Sequence, residues 1–285
     1  MGNQVGITPQ VLAFVEKLPP DVGSSLLAAF LKYSQGFRTL DFFKANSDLS
    51  RITAENPASF EMLEILYTPK PPEKPADRFF YESSGGQAVR ARIQAVIANA
   101  GGIIVEMAKR GPVRVANLGS GPGRDTTEIL VQHPELVGKV LVDCVDLDPD
   151  ALTLGKQLAI NAGLTQSVRF FEDNFLELPY KGELDVVLMI GILCGLDSQR
   201  CGMILRKVRK YLKPGGILIA SNVSTEMPKV DPFTSWFSRN VTGWMLIYKT
   251  TEELQAIFKR AGYDWKGCFY DEPLRFHTMG IGSKP

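Results

Sequence analysis

The stretch ANLGSGPGRD, Ala116 to Asp125, places Gly119, Gly121 and Gly123 at alternate positions directly after an apolar run. A residue without a Cβ lets the chain turn tightly and lets backbone come close to a ligand. The spacing G-x-G-x-G differs from the G-x-G-x-x-G that seats a diphosphate on a helix N-terminus. It gives close backbone approach without leaving that same pocket. Downstream, VLVDCVDLDPDAL ends a strand at Asp146. A carboxylate there faces the crevice at the carboxyl ends of a parallel sheet, where it can accept hydrogen bonds from both hydroxyls of a ribose. Solvation of the loop is the plainer alternative for that acid. Asp148 reads as the cap of a helix opening at Pro149.

These residues need a frame of strands and helices, and the chain supplies one from Val113 onward. Apolar runs predict strands at Val113–Leu118, Val140–Val145, Val168–Phe171, Leu184–Ile190 and Gly216–Ser221. Helices are expected between them at Asp125–Gln132, Pro149–Asn161 and Ser198–Leu212, with a last one at Thr251–Ala261 capped by Thr250 or Thr251. DWKGCFYDE and RFHTMGIGSK alternate like two further strands. The expected fold class is therefore α/β, a doubly wound, mostly parallel seven-stranded sheet with an antiparallel C-terminal edge strand. Before it come helices opening at Thr8 and at Asp21, another over Pro57–Leu66, and one over Gly86–Lys109. The proline-rich YTPKPPEKPAD reads as an exposed connector. We divide the chain into an N-terminal helical cap, residues 1–76, and a ligand-binding domain, residues 77–285.

Bulk properties exclude several classes. With 32 basic and 31 acidic side chains the net charge is +1, which gives no field to attract nucleic acid or an anionic membrane. LRKVRKYLK is a solvated helix face on that balance. Four cysteines without C-x-x-C spacing and two histidines leave little for a zinc site, so no metal is expected and the thiols read as buried and reduced. The first residues lack a secretory pattern, Gly6 stands where myristoylation wants Ser or Thr, and no run reaches the length of a membrane helix. A cytoplasmic location and a small-molecule partner follow as expectations, with a homodimer through the N-terminal helices as one further option.

From Val113 to Ser221 the chain resembles the class I S-adenosylmethionine-dependent methyltransferases. VRVANLGSGPG is similar to that family's first motif, CVDLDPDAL to its ribose-binding acid loop and VRFFEDNFLELP to its adenine-side loop. LDVVLMIGILCGL resembles its fourth strand, and LKPGGILIAS the turn into its fifth. The resemblance implies S-adenosyl-L-methionine as cofactor. It implies that Gly119, Ser120, Gly121 and Gly123 pass under the methionine and ribose, and that Asp146 with Leu147 meets the ribose side. Asp173 or Asn174, with Phe175, would meet the adenine, and Gly191 would border the methyl-transfer site. The family more often carries an acid where Asn117 stands; an amide offers the cofactor's ammonium a hydrogen bond without full charge. Tyr81 and Arg90, with Arg92 behind them, stand before the sheet. They read either as contacts to the cofactor's methionine arm or as surface residues on an amphipathic helix.

The acceptor is less constrained. Methyl transfer from a sulfonium is an in-line displacement, in which alignment and exclusion of water do much of the work. A hydroxyl gains from a base, for which Tyr81, Tyr248 and His277 are the candidates, with a structural role the alternative for the histidine. Where base-amine methyltransferases carry Asn or Asp, Pro, Pro and an aromatic, this chain has IGIL, and no acidic metal ligand follows until Asp197. Phe233, Trp236, Phe237, Trp244, Met245 and Tyr248, with Tyr33, Phe37, Phe42, Phe43 and Tyr67, read either as plain core or as the roof of an apolar acceptor pocket. TGWMLIYKTTEEL with YESSG loosely resembles bacterial methyltransferases linked to hydroxy-fatty-acid methyl esters. The expectation is metal-independent methyl transfer to a small, partly apolar acceptor at a hydroxyl or carboxylate oxygen. Nitrogen or carbon methylation, and a cofactor-binding scaffold without chemistry, are the alternatives.

Overall fold

The computed structural model describes residues 17–18, 43–57, 59–240 and 242–285. The helices expected from Thr8 and from Asp21, and the aromatics Tyr33, Phe37 and Phe42, lie outside the described residues. The chain divides into two compact units: residues 1–90 with Thr225–Leu246, and Ala91–Ser224 with Ile247–Pro285.

The second unit carries the sheet. Its strands are β1 (Val113–Leu118), β2 (Val140–Asp146), β3 (Val168–Glu172), β4 (Leu184–Met189), β5 (Leu212–Val223), β6 (Asp264–Tyr270) and β7 (His277–Ser283), in the order β3-β2-β1-β4-β5-β7-β6. β3, β2, β1, β4 and β5 pair in parallel, and β7 runs antiparallel between β5 and β6. Val115, Ala116 and Leu118 of β1 and Val186 to Met189 of β4 are fully buried, as expected of central parallel strands covered on both faces. β1 lies between β2 and β4, so the chain leaves its carboxyl end in one direction after β1 and in the other after β4. That divergence opens the crevice in which such sheets bind ligands.

Helices Arg124–Gln132 (α5), Pro149–Asn161 (α6), Ser198–Arg209 (α7) and Thr251–Arg260 (α10) fill the intervals. Asp148 caps α6, its side chain accepting from the N–H groups of Asp150 and Ala151. Thr250 and Glu253 form a reciprocal capping box on α10. β5 starts at Leu212 instead of Gly216, and α7 stops at Arg209. Leu212 already pairs with Leu184, and the register then shifts so that Ile217 meets Val186. The Pro-Gly-Gly segment is thus an irregularity inside the strand and not a break before it.

The first unit contains Asp48–Glu55 (α1), Phe60–Tyr67 (α2), Pro75–Glu82 (α3), the first turns of Ser84–Ala108 (α4), Met227–Val230 (α8) and Pro232–Asn240 (α9). α1, α3, α8 and α9 are additions to the sequence reading. Proline at the first helical position lets α3 grow out of the connector, since its missing N–H has no helical partner there. Asp77 of α3 is buried and caps α1 from a distance, accepting from Ser47 Oγ at 2.6 Å and from Leu49 N at 3.0 Å. Phe43, Phe80 and Phe237 pack edge-on and tilted, with ring centres 4.7–6.0 Å apart.

α4 corrects one expectation. Its 25 residues include a window of mean hydropathy 1.3, long and apolar enough to cross a membrane by length and composition. Ala88, Ile93, Val96, Ile97, Ala100 and Ile104 are buried within the protein, and a core helix of a water-soluble protein has the same composition.

At the other face of β2, Asp143 is 1 % exposed and collects charge partners. Arg169 Nη2 is 2.6 Å from Oδ1, Arg114 Nη2 is 3.6 Å from Oδ2, and the Tyr180 hydroxyl donates to Oδ2 at 2.5 Å. Removing the anion takes the shared acceptor from the half-buried Tyr180 hydroxyl and from two partly exposed guanidiniums, which typically costs about 1–3 kcal/mol. Asp143→Ala is expected to lower the unfolding free energy by about that amount, read from the shift in urea midpoint at unchanged slope.

Candidate functional site

The glycine loop joins β1 to α5 at the carboxyl edge of the sheet. Gly119, Gly121 and Gly123 hold φ of 63°, 52° and 65°, in the left-handed region that side chains disfavour. A Cβ on Gly119 would lie 2.2 Å from Ile192 Cδ1, and one on Gly123 would lie 2.6 Å from Cys144 Sγ. Neither position has room for a side chain.

Asp146 holds this loop. Its Oδ2 accepts from Gly121 N at 2.6 Å and its Oδ1 from Asp148 N at 3.0 Å. Each oxygen retains a lone pair for a ligand hydroxyl. Leu147 beside it is an apolar side chain 68 % exposed. Ser120 turns inward, its hydroxyl donating to Gly121 O. At the end of β3, Asp173 N donates to Asp146 O at 3.1 Å. Asn174 spends both ends of its amide locally, on Glu177 Oε1 and Leu176 N, whereas Asp173 is exposed and its Oδ1 takes only the neighbouring Asn174 N. Phe175 packs partly buried against the sheet core.

Asn117 is 1 % exposed, and its Nδ2 donates to Asp125 Oδ1 at 2.8 Å. A carboxylate only accepts, so the amide nitrogen must be the atom facing it. Burial raises the Asp125 carboxyl above its ordinary range, and donors from Thr126 N and Asn117 with the nearby Arg92 charge offset this in part. Burial likewise pushes the Cys144 thiol up to about 12, which makes it an inert packing group.

The far side of the crevice is built after β4. Gly191 has φ 93° and donates its N–H to Ser221 Oγ of β5 at 2.8 Å. A Cβ there would lie 3.9 Å from Arg92 Nη1. The short 3-10 turn Leu193–Gly195 follows, and Lys249 secures it. The Lys249 ammonium is buried and donates to the carbonyls of Leu193, Leu196 and Ile247 and to Asn222 Oδ1, at 2.7–3.3 Å. Burial lowers its pKa.

His277 opens β7 and pairs with Val223 at the end of β5. Its Nδ1 lies 2.9 Å from Asp271 Oδ2, and its backbone N–H donates to Asp271 Oδ1 at 2.6 Å. Asp271 is fully buried. The acid fixes the proton on Nδ1 and leaves Nε2 as the acceptor. Burial holds His277 below its ordinary 6.5; the Asp271 hydrogen bond opposes that shift, and the Arg92 charge adds to it.

The second unit thus brings together Asn117, the three glycines, Asp146, Asp173 and Gly191 at the carboxyl ends of its parallel strands, with His277 at the start of β7 beside the carboxyl end of β5. Tyr248, half-buried, directly precedes Lys249. Tyr81, Arg90, Trp236 and Trp244 lie in the first unit. There the Tyr81 hydroxyl donates to Thr68 O at 2.7 Å, and the Arg90 guanidinium lies 3.9 Å from the Tyr81 ring centre while donating to Tyr81 O. Trp236 packs on Phe233, and Trp244 on the cluster of Leu49, Met62, Leu66 and Tyr81. The sequence reading missed Asp125, Asp271 and Lys249. Asp271 carries only a weak signal, an acid six residues before a histidine across a predicted turn.

This geometry is that of a Rossmann-like methyltransferase, and the comparisons agree. A family model described as a methyltransferase domain matches residues 110–262, and the chain belongs to that family. It is an S-adenosylmethionine-dependent methyltransferase. Among solved structures it is similar to a possible exported protein from Bordetella parapertussis at 19 % identity and TM-score 0.71, covering 98 % of this chain and 100 % of that one. It is also similar to magnesium protoporphyrin IX methyltransferase from Synechocystis with bound S-adenosylmethionine, at 12 % identity, TM-score 0.59 and coverage of 84 % and 98 %. A third likeness is to 1,6-didemethyltoxoflavin-N1-methyltransferase from Burkholderia thailandensis, at 22 % identity, TM-score 0.50 and coverage of 67 % and 78 %. Among curated proteins none matches the chain.

Gly123→Ala combines a left-handed φ with a Cβ pressed on buried Cys144. It is expected to cost about 1–3 kcal/mol, seen as a lowered Tm by calorimetry.

Proposed function

We propose that this methyltransferase acts on a hydroxyl oxygen of a small, partly apolar acceptor, with His277 receiving the proton. The observation that carries this reading is the buried Asp271–His277 pair. The pair lies at the end of β5, where Ser221 anchors Gly191, and Arg92 faces both Gly191 and the imidazole.

The cofactor's adenosyl part fits the residues present. The crevice edge is bare backbone at the glycine loop, Asp146 retains lone pairs for the ribose hydroxyls, and Leu147 offers an apolar face. We assign Asp173 to the adenine amino group, because Asn174 is occupied within its own turn. When bound, S-adenosylmethionine supplies an electrophilic methyl carbon whose bond to sulfur breaks with the electron pair left on sulfur. The chain's own part is to align the acceptor and move one proton. His277 Nε2 takes the hydroxyl proton as the oxygen bonds to carbon, and Asp271 stabilises the imidazolium that results. A carboxylate or amine acceptor would not call for such a base, so the dyad favours a hydroxyl.

Calorimetric titration with S-adenosylhomocysteine tests the cofactor assignments. Asp146→Ala is expected to abolish measurable binding and Asp173→Ala to weaken it about tenfold, one lost hydrogen bond to a charged group. Unchanged affinity in Asp146→Ala would remove the placement.

The base is tested by methyl transfer to phenols and aliphatic alcohols across pH. Nε2 works only when neutral, and its pKa is held below 6.5. Activity should therefore be full at neutral pH and fall on acidification along a limb centred below 6.5. His277→Gln is expected to lower kcat about a hundredfold and to erase that limb, with KM for the cofactor unchanged. A limb that persists in His277→Gln would assign the proton transfer elsewhere.

A further inference from the structure

We propose that Asp125, held in place by Asn117, is the anion that meets the α-ammonium of the cofactor's methionine arm. The inference rests on the cofactor placement proposed above and adds a residue that neither the motif resemblance nor that placement assigns.

The observations begin with Asn117. It stands where related loops carry an acid, yet its buried amide turns its donor, not its acceptor, toward a neighbour: Nδ2 is 2.8 Å from Asp125 Oδ1 and 3.5 Å from Thr126 Oγ1. Asp125 Oδ1 also takes the N–H of Thr126 at 2.8 Å. Both donors hold the same oxygen. The residue's own backbone N–H and the Arg92 charge also favour the anion, and Asp125 is only half-buried, so the carboxylate keeps lone pairs for a ligand beyond the two donors on Oδ1.

The pairing explains the departure at position 117. An aspartate there would set a second carboxylate within hydrogen-bond distance of Asp125 in a buried place, and two anions so close cannot both stay ionised. The pair thus carries a single charge, displaced from the strand end to the first turn of α5. That turn favours an anion through the free N–H groups of the helix start, and it directly follows Gly123 of the loop. Burial disfavours the Asp125 anion; an ammonium against Oδ2 would offset what its two donors and Arg92 do not.

The test compares two ligands on the whole protein by calorimetry: S-adenosylhomocysteine, which carries the ammonium, and 5′-methylthioadenosine, which lacks the amino-acid arm. Asp125→Asn is expected to weaken S-adenosylhomocysteine by about tenfold to a hundredfold, the usual effect of losing a charge-assisted contact. Its affinity for 5′-methylthioadenosine should stay within about twofold, which also shows that the loop is folded. Asn117→Asp is expected to weaken S-adenosylhomocysteine as well, and the exchange Asn117→Asp with Asp125→Asn to recover most of the loss. Equal losses for both ligands in Asp125→Asn would overturn the proposal by making Asp125 a purely structural residue. Unchanged S-adenosylhomocysteine affinity in Asp125→Asn, with binding lost in Asp146→Ala, would overturn it while leaving the cofactor placement intact. Failure of the exchange to recover affinity would overturn the pairing.

Discussion

Gly121 donates its backbone N–H to the carboxylate of Asp146, and the carboxyl edge of the sheet is organised around that link. It ties the loop after β1 to the end of β2, fixing the distance between the glycine turns and the Asp146 carboxylate. The remaining backbone contacts follow from it: Gly119 N and Ser120 N both reach Val145 O, and Asp173 N reaches Asp146 O. Three successive strand ends, β1, β2 and β3, are thereby bound into one rim by main-chain hydrogen bonds. Such bonds depend on backbone path more than on side-chain identity, so the rim tolerates change around it as long as the left-handed turns persist.

The other side of the crevice follows a different rule. There the structure buries charge and satisfies it with neutral groups. Lys249 is surrounded by carbonyl oxygens instead of a carboxylate; on the glycine-loop side the amide of Asn117 supports Asp125 in a similar way. A buried ion held by dipoles is expensive to displace, because each acceptor left behind is itself desolvated. The turn 193–195, clamped by Lys249, is therefore held firmly in place after β4.

Much of this was legible in the chain. β1 and α6 have the bounds that their apolar periods and caps indicated, and the acid and glycine motifs of the rim occur in the order the sheet requires. What escaped the reading has local physical causes. α3 is hidden by its proline-rich approach, since proline signals interruption before a helix as well as between helices. The start of β5 is hidden by a glycine-bearing irregularity within it. The role of Asn117 was open because an amide can donate or accept, and only the position of Asp125 decides which. The Asp271–His277 contact joins residues across a strand connection whose geometry no period encodes.

β7 occupies the sheet position between β5 and β6, although β6 precedes it in the chain. β6 has β7 as its neighbour in the sheet and cannot join until β7 is inserted, so the pair must add as a preformed hairpin or be completed last. A nascent chain that has emerged only as far as Tyr270 would hold a five-stranded parallel sheet with the buried residues of β5 along an open edge. Such an edge invites pairing with other chains. The histidine that begins β7 therefore arrives with the segment that seals the sheet, after the glycine loop and Asp146 have already been made.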